Sequence, residues 1–172
     1  MKRIIIGLFL GILAWGSEIK IIQTFEADFT QKLIAQDNSE IVYQGKIFAQ
    51  SPDNVLWQYQ KPIPKEVYIH SNEVIIYEPK LQQAIFSSLQ EKLDIFALVN
   101  KAKKIKDNLY QAEVLEQKYN LIINEGILEK ITFIDALENK VIIQFDKIQI
   151  NKPLKKELFV FEPKEGIDLI YH

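Results

Sequence analysis

The sequence predicts a mainly β protein of the α+β kind: a strongly curled antiparallel sheet of about eleven strands, closing part of the way toward a barrel, with two short amphipathic helices to cover it. Three observations point there. From residue 41 onward the chain is built of short runs rich in Ile, Val, Tyr and Phe, separated by Pro, Asn, Asp and Gly. The connections between these runs are too short for helical crossovers, so neighbouring strands pair antiparallel. Within the runs apolar and polar residues alternate, which makes one face of the sheet apolar and obliges something to cover it.

The first sixteen residues read as an address. Lys2 and Arg3 precede an apolar run from Ile4 to Leu13, and Ala14-Trp15-Gly16 supplies small residues where a signal peptidase reads them. The run is about half as long as a membrane-spanning helix needs to be. Cleavage after Gly16 is expected, leaving residues 17–172 as one exported domain.

Beyond Ser17, a candidate cap, Ile22, Phe25, Phe29 and Leu33 recur at spacings of three and four, with Gln23, Glu26, Lys32 and Gln36 around the remaining circumference. That spacing predicts an amphipathic helix ending at the turn cluster Asp37-Asn38-Ser39. Strands are expected near 41–50, 54–60, 65–70, 73–78 and 82–87, with turns at Ser51-Pro52-Asp53-Asn54, Pro62-Ile63-Pro64 and Ser71-Asn72. Residues 88–100 predict the second helix, with Leu89, Leu93 and Phe96 on one face.

Strand texture returns near 108–115, 118–124, 127–135, 140–150 and 156–162, and a short last strand is expected at 168–171. Glu125-Gly126, Glu138-Asn139 and Asn151-Lys152-Pro153 punctuate it. Ile127, Ile131 and Phe133 fall on one face opposite Leu128, Lys130 and Thr132, and Val141, Ile143 and Phe145 share a face further on. The alternation slips between Phe145 and Ile148, which predicts a bulge that sharpens the curl.

Composition excludes several functions. Twenty-one basic and 23 acidic residues give a net charge of -2, and removal of Lys2 and Arg3 makes the mature chain more acidic, so no global field draws it to nucleic acid or to an anionic membrane. The absence of cysteine removes disulfides, thiolate nucleophiles, cysteine-based metal sites and any thiol to carry a lipid. The two histidines, His70 and His172, form neither a triad nor a metal cluster, and there is no nucleophile elbow, phosphate loop or dinucleotide fingerprint. Glu26 and Asp28 would point to different sides of a helix. Neither an enzyme nor a cofactor or metal site is expected. The lysine-rich run from Lys101 to Lys106 fits favourable charge at a helix C-terminus better than a docking patch.

Three segments then resemble the LolA family of periplasmic outer-membrane lipoprotein carriers. Phe25-Glu26-Ala27-Asp28-Phe29-Thr30-Gln31 matches its F-x-A-x-F-x-Q motif; Gly45, Pro52 and Trp57, followed by Tyr59 and Pro62, match its strand-turn-strand; Tyr77-Glu78-Pro79 with Gln83 matches its Y-x-P-x(3)-Q. Phe159-x-Phe161-x-Pro163-x-x-Gly166-Ile167 is similar to the family's closing strand. The resemblance implies an incomplete antiparallel barrel with a helical lid over an apolar cavity that takes lipoprotein acyl chains. It implies as partners an inner-membrane ATP-driven exporter of the ABC type and, where present, an outer-membrane acceptor. It implies a soluble monomer in the periplasm that works without cofactor or nucleotide. The acceptor of similar fold, LolB, is lipidated on a cysteine, which this chain lacks. Many family members carry an arginine before the turn proline, thought to bond lid backbone; here the position is Ser51, which has no such fork of donors.

Phe25, Phe29, Leu33, Leu93 and Phe96 are the expected inner face of the lid, and Val55, Trp57 and Tyr59, on one strand parity, the cavity wall. The same eight residues also suit ordinary core packing. Carriage of another lipid on the same scaffold is the main alternative; an enzyme acting on a hydrophobic substrate and a solidly packed interaction protein are further ones.

Overall fold

The computed structural model describes Ile19, residues 22–88 and residues 95–171. The expected signal segment 1–16, Leu89 and Leu93 lie outside the described residues. Twelve strands form one sheet: β1 (Thr24–Ile34), β2 (Glu40–Gln50), β3 (Asn54–Lys61), β4 (Lys65–His70), β5 (Glu73–Glu78), β6 (Gln83–Ser88), β7 (Lys103–Lys106), β8 (Leu109–Val114), β9 (Gln117–Asn124), β10 (Ile127–Ile134), β11 (Lys140–Ile150) and β12 (Asp168–Tyr171). A helix, α1 (Ile95–Lys101), precedes β7, and a 3-10 turn (Lys156–Phe159) lies between β11 and β12. The order across the sheet is β12-β6-β5-β4-β3-β2-β1-β11-β10-β9-β8-β7. It is two antiparallel meanders joined where β1 meets β11, with β12 added parallel to β6.

The expected first helix is strand β1. Its apolar residues Phe25, Ala27, Phe29 and Leu33 occupy alternate positions, and Thr24, Glu26, Asp28, Thr30 and Lys32 fill the intervening ones. A spacing of four satisfies both a 3.6-residue turn and a two-residue pleat, so Phe25, Phe29 and Leu33 cannot separate the two periods; Ala27 does. Pairing on both sides then settles the matter, because β1 is the central strand, bonded along its length to β2 and β11.

Other boundaries differ for local reasons. The segment expected as a strand at 156–162 is a 3-10 turn followed by irregular chain that lies against the outer face of the sheet: Phe161 packs on Tyr68, Tyr77 and Phe86 at ring-centroid distances of 5.6, 5.4 and 6.1 Å. Lys103, Lys104 and Lys106, expected beside a helix end, lie in β7, the exposed strand at one edge of the sheet. Lysines on an edge strand discourage pairing with another chain. Lys101 alone occupies the last turn of α1. In β10 a register shift between Leu128 and Lys130 brings Leu128 to the same buried side as Ile131, against the simple alternation.

The expected bulge near Phe145 is present. Asp28 pairs with Asp146 but Glu26 pairs with Gln149, so β11 spends one more residue than β1 over this stretch. Lys147 takes the left-handed backbone conformation there, with φ of 51°. Its ammonium reaches back to Asp28 Oδ2 at 2.8 Å, and Lys46 approaches Asp28 Oδ1 at 3.3 Å. The hydrogen bond from Lys147 holds the Asp28 carboxyl below its ordinary value, with Lys46 adding to the effect against partial desolvation. A carboxyl depressed by folding contributes stability that is present above the unfolded value, about 4, and is lost as pH falls through the lower folded value. Asp28→Asn is therefore expected to flatten the acid limb of the stability curve below about pH 4. Urea denaturation of both proteins across that range checks it, and salt should shrink the difference because the pair is exposed.

Candidate functional site

The curl places the apolar parity of the strands on one inner face. Cross-strand partners there line up in rows. Phe25, Ala49, Val55, Ile69 and Val74 form one, and Ala27, Ile47, Trp57, Val67 and Ile76 the next. The third joins Phe145, Phe29, Gly45, Tyr59 and Lys65. Helix α1 contributes Ile95, Phe96, Leu98 and Val99 to the same buried cluster.

Aromatic rings dominate its centre. Phe29 meets Trp57 and Tyr59 edge-on at 5.0 and 5.1 Å, Phe25 meets Phe145 at 5.3 Å, and Trp57 lies 6.3 Å from Phe145. These are favourable edge-to-face and offset distances. Gly45 makes the arrangement possible: a Cβ at that position would sit 2.0 Å from the carbonyl oxygen of Gln58 and 2.9 Å from Cε1 of Phe29. The β2–β3 register shifts beside it, between Gln44 and Gly45. Gln31, last residue of the F-x-A-x-F-x-Q motif, accepts a 3.0 Å hydrogen bond from the Tyr59 hydroxyl. Burial pushes the Tyr59 phenol well above its ordinary range.

Exposure increases along β1. Phe25 is 0% and Phe29 2% accessible, Leu33 is half-buried, and Ile41, its partner on β2, is 46% accessible. The inner face is thus sealed at the end near Ser51 and opens toward the 35–39 hairpin. At the sealed end Ser51, Ile22, Phe96, Val99 and Asn100 border a cleft of 310 Å³ between the β2–β3 turn and α1. The Ser51 backbone N–H donates to the carbonyl of Gln23 at 2.8 Å.

Of the eight candidate residues, Phe25, Phe29, Val55, Trp57 and Phe96 are buried in the inner-face cluster, Tyr59 packs against it, and Leu33 stands half-buried toward the open end. Phe25, Phe29 and Leu33 belong to the sheet and not to a helical lid; of the lid candidates on the second helix, Phe96 is on α1 and Leu93 lies outside the described residues. The cluster is packed ring against ring. Phe145, Tyr43, Ile95 and Leu98 belong with these residues, although sequence reasoning does not single them out. The alternation of Val141, Ile143 and Phe145 is the available signal for the first, and Lys65 has none. His70 is exposed at the end of β4, with Nδ1 2.8 Å from Asn54 Oδ1.

Fold and site together define a half-barrel protein: one curled sheet wrapped over its own apolar face and closed at one end by a short helix. Solved structures share this fold, among them a LolA superfamily protein from Nitrosomonas europaea, with a TM-score of 0.52 at 14% identity over 84% of this chain and 94% of that one. An uncharacterized conserved protein from Thermus thermophilus has a TM-score of 0.54 at 8% identity over 88% of this chain and 92% of its own. At the level of sequence, the family model described as outer membrane lipoprotein carrier protein LolA matches residues 20–121. An outer-membrane lipoprotein carrier protein of Wolinella succinogenes is 41% identical over 171 residues, 99% of each chain. One from Helicobacter pylori (strain ATCC 700392 / 26695) is 37% identical over 87% of this chain and 80% of its own length. The chain belongs to the LolA family of outer-membrane lipoprotein carrier proteins.

Proposed function

We propose that this protein carries lipoproteins through the periplasm by sheltering their acyl chains against the inner face of the sheet, taking them from an ATP-driven inner-membrane exporter and yielding them to an outer-membrane acceptor. The observation that carries the reading is the 41% identity to a lipoprotein carrier over 99% of both chains. The apolar rows supply the physical means. Exposing an acyl chain to water costs about 0.8 kcal/mol per methylene, so a soluble shuttle needs apolar surface of comparable extent. Phe25, Phe29, Leu33, Val55, Trp57, Tyr59, Leu93 and Phe96 are the residues assigned to it. No catalytic step is needed, and export through the segment 1–16 places the protein where the transfer occurs.

The close packing of Phe25, Phe29, Val55, Trp57 and Phe96 constrains the mechanism. Acyl chains find room on the inner face only as α1 shifts from the sheet, so net affinity is the difference between burial of cargo and burial of the protein's own apolar residues. That difference stays moderate, which lets the carrier release what it holds. Ser51 offers no guanidinium fork toward α1, so closure draws on the apolar contacts of Ile95, Phe96, Leu98 and Val99.

Pinning the helix tests this. The chain has no cysteine, so Ser51→Cys and Asn100→Cys introduce two unique thiols on either side of the 310 Å³ cleft. Joining them with a short bifunctional reagent is expected to abolish uptake of an acylated peptide, and a reducible linker should restore it on cleavage. Unchanged uptake by the pinned protein would show that α1 need not shift from the sheet to make room for acyl chains.

A further inference from the structure

The inner face is apolar only in part. In the third row Phe145 and Phe29 give way beyond Gly45 to Tyr59 and Lys65. Lys65 Nζ lies 4.6 Å from the Tyr59 ring centroid and 5.7 Å from that of Tyr43, near enough for attraction to both ring faces. Among the described residues it forms no ion pair within 4.0 Å. Burial lowers its basicity, and the Glu78 charge opposes this. Glu78 in turn accepts a 2.6 Å hydrogen bond from Gln83 Nε2. An ammonium with unused donors, a phenol hydrogen-bonded to Gln31 and a carboxylate that offsets the ammonium therefore border an aromatic surface, on the side that opens to solvent.

Such a border suits an amphiphile, and its charge balance says which kind. A carboxylate seated at Lys65 would also meet the field of Glu78, whereas a neutral carbonyl needs only the donor. Building on the acyl-carrier reading, we infer that Lys65, with Tyr59 and Gln31, binds the neutral carbonyl at the root of an acyl chain, an ester or an amide, while the methylenes lie along Phe29 and Trp57. The border thereby sets how deep a chain sits and which end leads.

Competition against a fluorescent apolar probe on the full mature chain tests it, using a fatty methyl ester, an N-acyl peptide, the ionised fatty acid and the plain hydrocarbon, all of one chain length. The ester or the acyl peptide is expected to bind about tenfold more tightly than hydrocarbon or ionised acid, the span of one hydrogen bond to a charged donor; which of the two gains more separates the ester from the amide source. Lys65→Met should remove that advantage, Lys65→Arg should keep it, and Glu78→Gln should raise affinity for the acid. Retention of the advantage in Lys65→Met, or in Lys65→Ala should Lys65→Met not fold, overturns the inference, as does wild-type preference for the ionised acid. Failure of the wild type to bind any of the four, hydrocarbon included, overturns the carrier reading on which the inference rests.

Discussion

Gly45→Ala is expected to bring the native state to the edge of unfolding. A methyl group at this position meets a backbone carbonyl oxygen at 2.0 Å, a distance no side-chain rotation relieves, and the ring of Phe29 at 2.9 Å. Gly45 lies in a buried stretch of β2 between β1 and β3, so the backbone can yield only by separating strands that are paired on both sides. Overpacking in ordered interiors costs about 1–3 kcal/mol when side chains can give way, and more when they cannot. Against a total stability of about 5–15 kcal/mol, the loss should bring the protein to the edge of unfolding. Chemical denaturation with circular dichroism checks it; a variant that keeps the wild-type midpoint would mean that the strands separate here at little cost. Phe29→Ala should not rescue Gly45→Ala, because the ring is the lesser of the two obstacles.

Phe29→Ala alone is expected to cost about 3–5 kcal/mol, the range for removing a buried aromatic ring. The residue is 2% accessible and loses edge-to-face contacts with both Trp57 and Tyr59. The same ring lines the proposed path of the acyl chain, so stability and binding have to be separated. Phe29→Leu keeps most of the volume and should lose less than half as much stability. Both variants, measured where they are folded, should weaken capture of acylated peptide. A fully folded Phe29→Leu that binds as wild type would place the chain elsewhere on the inner face.

Much of the architecture is legible in the sequence because turn chemistry and alternation agree over most of it. The strands from 40 to 88 and from 109 to 150 fall close to the expected bounds, and left-handed residues occupy the anticipated turns, as at Ser71, Glu125, Gly126 and Glu138. The bulge at Lys147 is visible as a slip of parity. β1 reads as a helix because its most prominent side chains stand four apart, a spacing common to helix and strand; the small Ala27 between two phenylalanines is the better guide. The tail at 156–162 has strand composition but joins neither edge of the sheet; β12 takes the edge beside β6, and Phe161 packs its ring on the outer face.

The site is legible in kind more than in detail. Alternation marks Val55, Trp57 and Tyr59 as co-facial, and the family motifs mark Phe25, Phe29 and Gln31, yet neither tells which faces oppose one another once the sheet curls. That depends on rows that link residues over 100 positions apart, such as Phe29 with Phe145. Lys65 illustrates the limit. A lone lysine after Pro64 reads as a surface charge, and only the curl sets it over the rings of Tyr43 and Tyr59.

The most direct measurement incubates the mature chain with inner-membrane vesicles that hold newly acylated lipoproteins and their ATP-driven exporter. ATP-dependent appearance of intact lipoprotein in a soluble one-to-one complex with this protein is the predicted result. Absence of release, from a protein that still binds a fluorescent fatty acid, would contradict lipoprotein carriage and leave a binder of some other lipid.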